Sequence, residues 1–556
     1  MLSDIGGSYW LLTLKIAGVD YVFTEAARVI PYGSETIYTS PGLGPVEFDE
    51  EVEAFSQTSS SREASVEVSF SHGNRQGWAA LASPKNEAGQ LEAVLYVLLD
   101  GDDWVDRVTV IKGTIDGMEH GLPEEPVSMT IAQNSYDDPS VFPPPIKVTG
   151  WAFPKFVYTG TNFGHDDAVT GQQYPFVFGS PGAYRPEAWW GFNDNAGVPA
   201  TPALPIEIDL DTEADAGAQG DLLICGHEVY DTTPGSVGRG SVHITSSGWP
   251  NDGYAFSYFE TILLHRADAK GRGYTYASAP AIRKGDQFYV SWTGATGLPN
   301  YTGTGPLTGA GDIISYLLEH STVPVDRLQT RESLAQVNGY AFDFYCNEAR
   351  GPLDVIRDDL LPFIPLTMIQ TTEGVAFIFW KWDATSLDAV AHIDEDLGYV
   401  NRVSPVEISP MSEIYNELAI SFAPNANSGS YAKTLTYTSN LTDTAQDEQF
   451  NPYSFASSTK YGVRVMSKVE CPTVHQDSTA TAILDWMVRY YGQPRRTVSY
   501  EVGPELRHLK PGDVVTLTDS HILINNAVCL VTSASLGPGL TRLTLTTVPD
   551  WTTDLD

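Results

Sequence analysis

The stretch from Gly311 to Val548 constrains the fold of this chain more than any other part. Its first half contains short segments with apolar residues at helical spacing, and its second half contains short segments in which apolar and polar residues alternate. Helical spacing buries one stripe of a helix, whereas alternation buries one face of a strand. This order predicts short helices pressed on sheets, followed by a barrel-like β segment. The predicted fold is mainly β with short helices, a β-rich α+β fold with several domains.

Three short helices are predicted in the first half of this stretch. The first covers Asp312–Glu319, with Asp312 as its own N-cap, and the second covers Arg331–Val337. The third begins at Gly351-Pro352 and runs to Leu361, because proline suits a first helical position, which needs no backbone donor. A hairpin then follows, with arms Pro365–Gln370 and Val375–Trp382. Its second arm is apolar on both sides, which predicts that both of its faces are covered.

The second half is predicted to be a barrel that contains one helix. The helix is Thr479–Tyr491, which ends before Gly492 and Pro494, two ordinary end signals. Residues 424–458 are rich in Asn, Ser and Thr and are interpreted as a polar excursion. The predicted strands are Asn416–Phe422, Val498–Val502, Val514–Thr518, Ala527–Ser533 and Leu543–Thr547.

The rest of the chain is predicted to be β-structure. Residues 8–142 hold about six patterned strands, and Asp137–Pro145 is a stiff connector because it ends in three consecutive prolines. The predicted domains are an N-terminal β-barrel or sandwich (1–142), a loop-rich β insertion domain (143–305), a helix-hairpin α+β domain (306–400) and a C-terminal β-barrel domain with one helix (401–556).

The charge balance excludes one class of function. The chain has 70 acidic and 32 basic residues, a formal net charge of −38. Binding of nucleic acid through phosphate neutralisation needs clusters of Lys and Arg, so this mode is disfavoured. A surface that repels DNA agrees with the charge, and so does simple solubility, which is the favoured interpretation from composition alone.

The spacing of the four cysteines, the N-terminal residues and the lengths of the apolar runs support three further expectations. Cys225, Cys346, Cys471 and Cys529 are widely separated, which fits neither a zinc site nor a disulfide framework and favours free buried thiols in a reducing cytoplasm. Met1–Gly7 has no basic or apolar signal region, so no secretion signal is predicted. No apolar run approaches the length of a membrane span.

Several local motifs have the composition of binding sites. Asp100–Asp103 and Asp209–Asp221 have calcium-like composition without EF-hand spacing, so turns or solvated loops are favoured. His165–Asp167 has metal-like composition, but these neighbouring side chains rarely converge on one point. Trp189–Phe192, with Tyr184 nearby, suits either sugar stacking or a protein interface, and the interface is favoured.

No catalytic, cofactor-binding or metal-ligating residue is predicted, and no cofactor is expected. None of the local motifs of serine hydrolases, zinc proteases or P-loop enzymes occurs in the sequence. A dispersed pair of carboxylates for glycoside hydrolysis leaves no local spacing. A polysaccharide-binding protein or glycosidase therefore stays the alternative from a different class.

The segment from Asp312 to Val548 resembles the central hub proteins of phage tail tips and baseplates, including those of siphophages and gene transfer agents. The order and spacing of short phrases carry this resemblance: Asp312–Glu319, Gly351–Pro365, Asn416–Phe422, Tyr461-Gly462, Thr479–Tyr491 and Leu509–Leu517, with Tyr174–Gly179 upstream. No lysozyme or peptidase module of the kind found in some hubs is recognisable.

The resemblance implies a non-enzymatic homotrimer in the virion, assembled in the cytoplasm of the bacterial host. Each protomer would carry two tail-tube-like β-barrels, within 8–142 and 400–548, and three copies would imitate a six-fold ring with an acidic channel for DNA. The implied partners are the distal tail or tail tube protein, the tape-measure protein and a tail fibre or receptor-binding protein. Another tail or fibre-base component of the virion is the second alternative, although coiled-coil heptads are absent.

Overall fold

The computed structural model of the protein describes the N-terminal region, parts of the middle region and most of the chain from residue 307 onward. In the first two regions it covers 8–16, 19–49, 63–69, 91–119, 125–133, 157–158, 161–162, 176–179, 201–206, 219–225, 239–242, 259–267, 273–280 and 288–290. In the last region it covers 307–346, 350–371, 373–397, 399–425, 430–440, 448–536 and 540–551.

The N-terminal region forms a nearly closed barrel. Its strands are β1 (Ser8–Ile16), β2 (Val19–Thr24), β3 (Val29–Tyr32), β4 (Glu35–Tyr38), β5 (Ser40–Pro41), β6 (Leu43–Asp49), β7 (Glu63–Val68), β8 (Glu92–Leu99), β9 (Val108–Glu119) and β10 (Val127–Gln133). Eight of them make one sheet in the order β5-β2-β1-β8-β9-β10-β7-β6, and β3 pairs with β4 as a separate hairpin. The expected N-terminal β-barrel is therefore present, with more strands than the six predicted.

The barrel closes through its own chain. The two edge strands of the sheet, β5 and β6, are neighbours in sequence, and Gly42 lies between them. The Gly42 N–H donates to the carbonyl of Thr24 at 3.0 Å, and the Gly42 carbonyl accepts from the N–H of Ser69 at 2.7 Å. Alternating residues such as Leu12, Leu14 and Val66 fill the interior.

The described strands of the middle region make three small assemblies. They are β11 (Val157–Tyr158), β12 (Thr161–Asn162), β13 (Phe176–Phe178), β14 (Thr201–Ile206), β15 (Gln219–Cys225), β16 (Arg239–Val242), β17 (Phe259–Ala267), β18 (Gly273–Pro280) and β19 (Phe288–Val290). Six of them form a sheet in the order β16-β17-β18-β15-β14-β19, and β11 pairs with β12. Strand β13 pairs instead with β20 (Phe344–Cys346), which ties this region to the helical block.

The helical block contains α1 (Ala310–Glu319), α2 (Arg327–Val337) and α3 (Pro352–Val355), which continues as a π-helical turn (Ile356–Leu360) and a 3-10 turn (Leu361–Phe363). The three predicted helices are present, but two of their starts were wrong. Helix α1 begins at Ala310, so Asp312 lies inside the first turn rather than capping it. The cap comes from Asn338, whose side-chain oxygen accepts from the N–H of Asp312 at 2.9 Å. Helix α2 begins at Arg327, where Asp326 is the N-cap.

The predicted hairpin consists of β21 (Leu366–Thr371) and β22 (Gly374–Phe379) and separates two cores. Val375 and Phe377 pack into the core of the helical block. Ala376 and Ile378 face the other way and pack with Val514 and other apolar residues. The prediction that both faces of the second arm are covered is confirmed.

The remaining elements form a half-barrel and a four-stranded sheet. They are β23 (Ala391–Asp394), β24 (Val400–Arg402), β25 (Glu407–Ile408), β26 (Leu418–Asn425), β27 (Ser430–Thr438), β28 (Glu448–Phe450), α4 (Pro452–Tyr461), β29 (Val469–Glu470), α5 (Asp477–Tyr491), β30 (Arg496–Val502), β31 (Val514–Asp519), β32 (Ile524–Leu536) and β33 (Thr541–Thr547). The half-barrel has the order β23-β31-β32-β33-β30-β24, with β25 also on β30, and the smaller sheet has the order β28-β27-β26-β29.

Two expectations for this region were wrong. The interpretation of 424–458 as a polar excursion fails, because these residues supply β27, β28 and most of α4. Helix α5 was expected within the barrel, but it packs on the four-stranded sheet. Its buried Ile483, Leu484 and Trp486 share a core with Leu418 and Ile420 of β26.

The N-terminal barrel and the half-barrel share one strand path. Five neighbouring strands of the barrel have the spatial order β6-β7-β10-β9-β8, and five of the half-barrel have the order β24-β30-β33-β32-β31. When each set is numbered along the chain, both orders read first, second, fifth, fourth, third. Every neighbouring pair on both paths is antiparallel. In both, the long fourth strand, β9 or β32, carries one extra residue against each of its two neighbours. The two strand paths therefore also share their β-bulges, which bend a strand and redirect its side chains.

None of the helices within the described residues is long and apolar enough to cross a membrane.

Candidate functional site

A buried carboxylate, Asp519, is the centre of a polar cluster at the open side of the half-barrel. It ends β31 and is fully buried. Its Oδ2 accepts from the hydroxyl of Tyr500 on β30 at 2.7 Å and from the guanidinium of Arg402 on β24 at 3.4 Å. Its Oδ1 accepts from the backbone N–H of His521 at 3.0 Å. Burial and the Asp519 hydrogen bond raise the pKa of Tyr500, so this hydroxyl stays a donor.

Glu395 completes the cluster from the residue after β23. Its Oε1 accepts from the N–H of Ser520 at 3.0 Å and from the hydroxyl of Ser520 at 2.7 Å. The Nδ1 of His521 lies 2.7 Å from its Oε2. Hydrogen bonds to Asp519, His521 and Ser520 lower the pKa of Glu395 to about 2. The hydrogen bond and the charge of Glu395 raise the pKa of His521.

The cluster is better explained as a clasp than as a metal site. One ligand atom each from Glu395, Asp519 and His521 lies within 4.8 Å of the others, which is metal-like spacing. However, the carboxylate oxygens already accept hydrogen bonds from Tyr500 and Ser520, and the guanidinium of Arg402 adds a positive charge beside them. A cation would have to displace these donors. We therefore call Glu395, Arg402, Tyr500, Asp519, Ser520 and His521 the clasp, which joins the two edges of the half-barrel.

Sequence reasoning missed the clasp. Asp519 is recognisable locally only as the N-cap of a short 3-10 turn, Ser520–Ile522. Its partner Glu395 lies 125 positions before Ser520. A long sequence separation of this kind leaves no spacing signal, because the pairing of β23 with β31 is what brings the two together.

Asn416 is a second buried polar centre, and it links two of the phrases that carried the resemblance. The side chain precedes β26 and is fully buried. Its Nδ2 donates to the carbonyl of Gly462 at 2.9 Å and to the hydroxyl of Ser457 at 3.0 Å. Its Oδ1 accepts from the N–H of Arg464 at 2.8 Å. All four residues are thereby fixed to one another, so Asn416 holds the end of α4 against the four-stranded sheet.

Arg489 lies in the last turn of α5 and Arg495 follows the helix, and both join α5 to its surroundings. The guanidinium of Arg489 lies 4.3 Å from the ring centre of Tyr453 and 5.0 Å from that of Trp382. The guanidinium of Arg495 lies 4.3 Å from the ring of Tyr490 and donates to its backbone carbonyl at 3.0 Å. The indole of Trp551 donates to the carbonyl of Arg489 at 3.1 Å. Such cation–π contacts stabilise a junction between elements.

The acidic turn Asp100–Asp103 is occupied by structural contacts. Asp100 forms an ion pair with Arg28 at 2.7 Å, and Asp103 caps the 3-10 turn Trp104–Asp106. His165–Asp167, Tyr184 and Trp189–Phe192 lie outside the described residues. Of the acidic stretch 209–221, the described part is limited to 219–221 in β15.

Three of the four cysteines have described side chains, and all three are free, buried thiols, as predicted. Burial raises the pKa of Cys471 to about 12 and that of Cys529 to about 12, and it also raises the pKa of Cys346. A reactive cysteine needs a lowered pKa and access to solvent. None of these three thiols is therefore suited to nucleophilic chemistry. The side chain of Cys225 lies outside the described residues.

Taken together, the described polar centres join structural elements and do not assemble reacting groups. Residues 340–533 match the sequence profile of the family described as putative phage tail protein. This segment, which contains the clasp, Asn416 and both arginines, is thus similar to phage tail proteins.

Comparisons with other proteins add little to this assignment. No curated protein matches the chain. The tail protein from Neisseria meningitidis MC58 is 8% identical, with 98% of this chain and 97% of that chain covered, at a TM-score of 0.34. The 43 kDa tail protein of prophage MuSo2 from Shewanella oneidensis is 9% identical, with 96% and 98% covered, at 0.37. A chain from the virion of a native gene transfer agent particle is 11% identical, with 68% and 85% covered, at 0.38. TM-scores this low do not establish a shared fold.

Proposed function

We propose that this protein is the structural hub of a phage tail tip or baseplate. It would join the tail tube to the tip or fibre and line the channel through which DNA is ejected. The observation that supports this proposal most is the strand path that the N-terminal barrel and the half-barrel share, bulges included. A phage tail protein with two such sheets can offer two equivalent surfaces to one ring-shaped partner.

The shared strand path supports a homotrimer. Three copies of a chain with two matching barrels present six barrels around one axis. A three-fold assembly of this kind can dock on a six-fold tail tube at one end and on a three-fold tip at the other. Closed rings of identical chains arise when each contact is heterologous and the rotation closes.

The net charge of the chain supports a channel that does not bind the DNA passing through it. The formal net charge is −38, so a lumen with a share of these carboxylates would repel the phosphate backbone. Retention of DNA would require phosphate contacts from Lys and Arg, which are in a clear minority here. The acidic surface would therefore let DNA slide without a specific site.

The partners that follow from this role are tail components. They are a distal tail or tail tube protein above, the end of the tape-measure protein inside, and a tail fibre or receptor-binding protein below. The hub would belong to the virion, after assembly in the cytoplasm of the host, and would carry out no catalysis. The domain borders at 142, 305 and 400 stay predictions.

Mass and symmetry of the purified protein test the proposal. Light scattering should give three times the protomer mass of 60.6 kDa, and negative-stain averages should show a three-fold ring with a central hole. A protein that stays monomeric at all concentrations would contradict a self-assembling hub. Glycan binding or hydrolysis in a sugar screen would instead favour the polysaccharide-binding or glycosidase alternative. A trimer without a hole would favour another tail or fibre-base component.

A further inference from the structure

The hairpin β3–β4 lies on the outer face of the N-terminal barrel. Its residues Ile30 and Ile37 stand opposite each other across the two strands. Both pack in a small core with Leu11 of β1 and Leu98 of β8. Because neighbouring residues of a strand point to opposite sides, this packing fixes which face of the hairpin points away from the barrel.

The face that points away from the barrel is apolar and exposed. Val29 and Tyr38 pair across the hairpin and are 66% and 75% exposed. Val105, in the 3-10 turn beside β3, is 65% exposed. The N–H of Gly33 donates to the carboxylate of Asp103 at 3.3 Å, which holds this turn against the hairpin. We call Val29, Tyr38 and Val105 the hairpin patch. Apolar groups gathered on a surface in this way mark an interaction site.

The half-barrel carries a hairpin at the matching place, and that hairpin is covered on both faces. Strand β31 has the place on its path that β8 has in the barrel. Hairpin β21–β22 packs on the outer face of β31, where Ile378 contacts the core that contains Val514. Its far face is covered by α2, whose Ser333 hydroxyl donates to the carbonyl of Phe377 at 2.6 Å. Within the described part of the chain, the corresponding face of β3–β4 is left exposed.

The charges around the hairpin patch define the chemistry of a partner that fits it. Within 25–38 and 100–107 the acidic residues are Glu25, Glu35, Asp100, Asp102, Asp103 and Asp106, and the basic residues are Arg28 and Arg107. Both arginines have partners there. Arg28 forms an ion pair with Asp100 at 2.7 Å, and Arg107 donates to the carbonyl of Trp104 at 2.6 Å. The rim of the patch is therefore acidic, which repels nucleic acid and anionic lipid and attracts Lys and Arg.

We propose that the hairpin patch docks an amphipathic helix of another protein, with an apolar stripe flanked by Lys and Arg. The helix covers β3–β4 as α2 covers β21–β22 within the chain. Helix α2 itself has two arginines, Arg327 and Arg331, against one acidic residue, Glu332, and buries Leu334 and Val337. This inference adds a docking surface to the proposed tail role and does not depend on the trimer.

Two synthetic helical peptides test the proposal on the full-length protein. One has a stripe of Leu with Lys at all other positions, over about 18 residues, and the other has Glu in place of each Lys. Fluorescence anisotropy at about 150 mM NaCl, where long-range attraction is screened, should show binding of the Lys peptide and not of the Glu peptide. Hydrogen exchange should become slower in 29–38 when the Lys peptide is bound.

A double variant locates the binding at the hairpin patch. Val29→Thr with Tyr38→Thr should weaken the affinity for the Lys peptide by about tenfold, because apolar groups at the centre of an interface carry most of its binding energy. Val463→Thr with Val465→Thr is the matched control, since these two valines follow α4 and are 60% and 68% exposed. Circular dichroism identifies a failure to fold, in which case Val105→Asp replaces the first double variant.

The outcomes separate this inference from the proposed function. Equal binding of the two peptides, binding of neither, or equal affinity of the two double variants overturns the docking proposal. A wild-type oligomer that the hairpin double variant dissociates in light scattering also overturns it, because a second copy then occupies the patch. A monomeric wild type that binds the Lys peptide through the patch supports this inference and contradicts the hub. A trimer that binds neither peptide does the reverse.

Discussion

At the scale of single residues, Gly42 is the position on which closure of the N-terminal barrel depends. Its φ of +137° is in the region that favours glycine, and a Cβ would lie 2.1 Å from the carbonyl oxygen of Ser69. We expect Gly42→Ala to lower the free energy of unfolding by about 3 kcal/mol, because strain and a backbone clash add. Urea unfolding followed by circular dichroism measures this change.

Gly33→Ala is the control for Gly42→Ala. Gly33 also has a positive φ, +57°, but no atom lies within 4 Å of its built Cβ. Only the left-handed conformation is then penalised, and a loss of about 1 kcal/mol is expected. Equal losses for the two variants would mean that Gly42 matters for its φ alone and not for the approach of Ser69.

Asn416 is the residue whose amide group matters most to the four-stranded sheet. Asn416→Ala leaves the Gly462 carbonyl and the Arg464 N–H without their side-chain partner. Since the site is buried, we expect a loss of about 3 kcal/mol in the free energy of unfolding. Asn525→Ala, at an exposed position of β32, should change it by less than about 0.5 kcal/mol. A loss no larger for Asn416 than for Asn525 would show that solvent replaces the lost hydrogen bonds.

Glu395 gives the clasp a defined pH dependence. Its folded-state pKa of about 2 lies below the value of about 4.3 expected in the unfolded chain. The stabilisation is thus fully present above about pH 4.3 and is lost as the pH falls through the folded-state pKa. Between pH 4.5 and 2, the melting temperature of the wild type should fall more steeply than that of Glu395→Gln. The exposed Glu373→Gln should keep the wild-type slope; identical slopes for all three proteins would contradict the prediction.

At the scale of elements, the hairpin β21–β22 matters most because it is shared by two cores. Phe377 is fully buried on the side of the helical block. Phe377→Ala should cost about 3–5 kcal/mol through lost burial and the cavity left behind. Hydrogen exchange should then be faster in α1 and α2 than in the half-barrel, which the opposite face of β22 supports. The exposed Phe455→Ala should leave both exchange rates unchanged, and uniform acceleration after Phe377→Ala would argue against separate cores.

The local pattern of apolar residues predicted a strand correctly where one face of the strand is buried and where both faces are buried. The alternation of Leu418, Ile420 and Phe422 and the apolar run 375–382 gave the right strands, because core packing alone dictates such patterns. The start of α1 was missed because Asn338, far along the chain, supplies its cap. Strand β27 was missed because it gains stability from pairing with β26, which its polar composition does not reveal.

At the scale of the whole molecule, the residue pattern predicted the class of the fold, whereas two like barrels were expected only from the resemblance to tail hub proteins. Two β regions separated by helices could be read from pattern. The common strand path could not, because the second path is interrupted between β25 and β30 by the four-stranded sheet, α4 and α5. The clasp residues lie on both sides of this insertion, so the half-barrel is completed only when β30 returns beside β24.

The net charge of −38 predicts how the proposed trimer responds to salt. Bringing three acidic chains together costs electrostatic free energy, and this repulsion is screened over about 8 Å at physiological ionic strength. Raising NaCl from about 10 mM to about 150 mM should therefore increase the trimer fraction in light scattering.

The same negative charge predicts how the protein behaves towards DNA. In the same buffers, duplex DNA should not be retained by the protein in a gel-shift assay, because phosphate neutralisation is missing. Trimers that dissociate as salt rises would contradict the prediction and would mean that charge pairs hold the copies together.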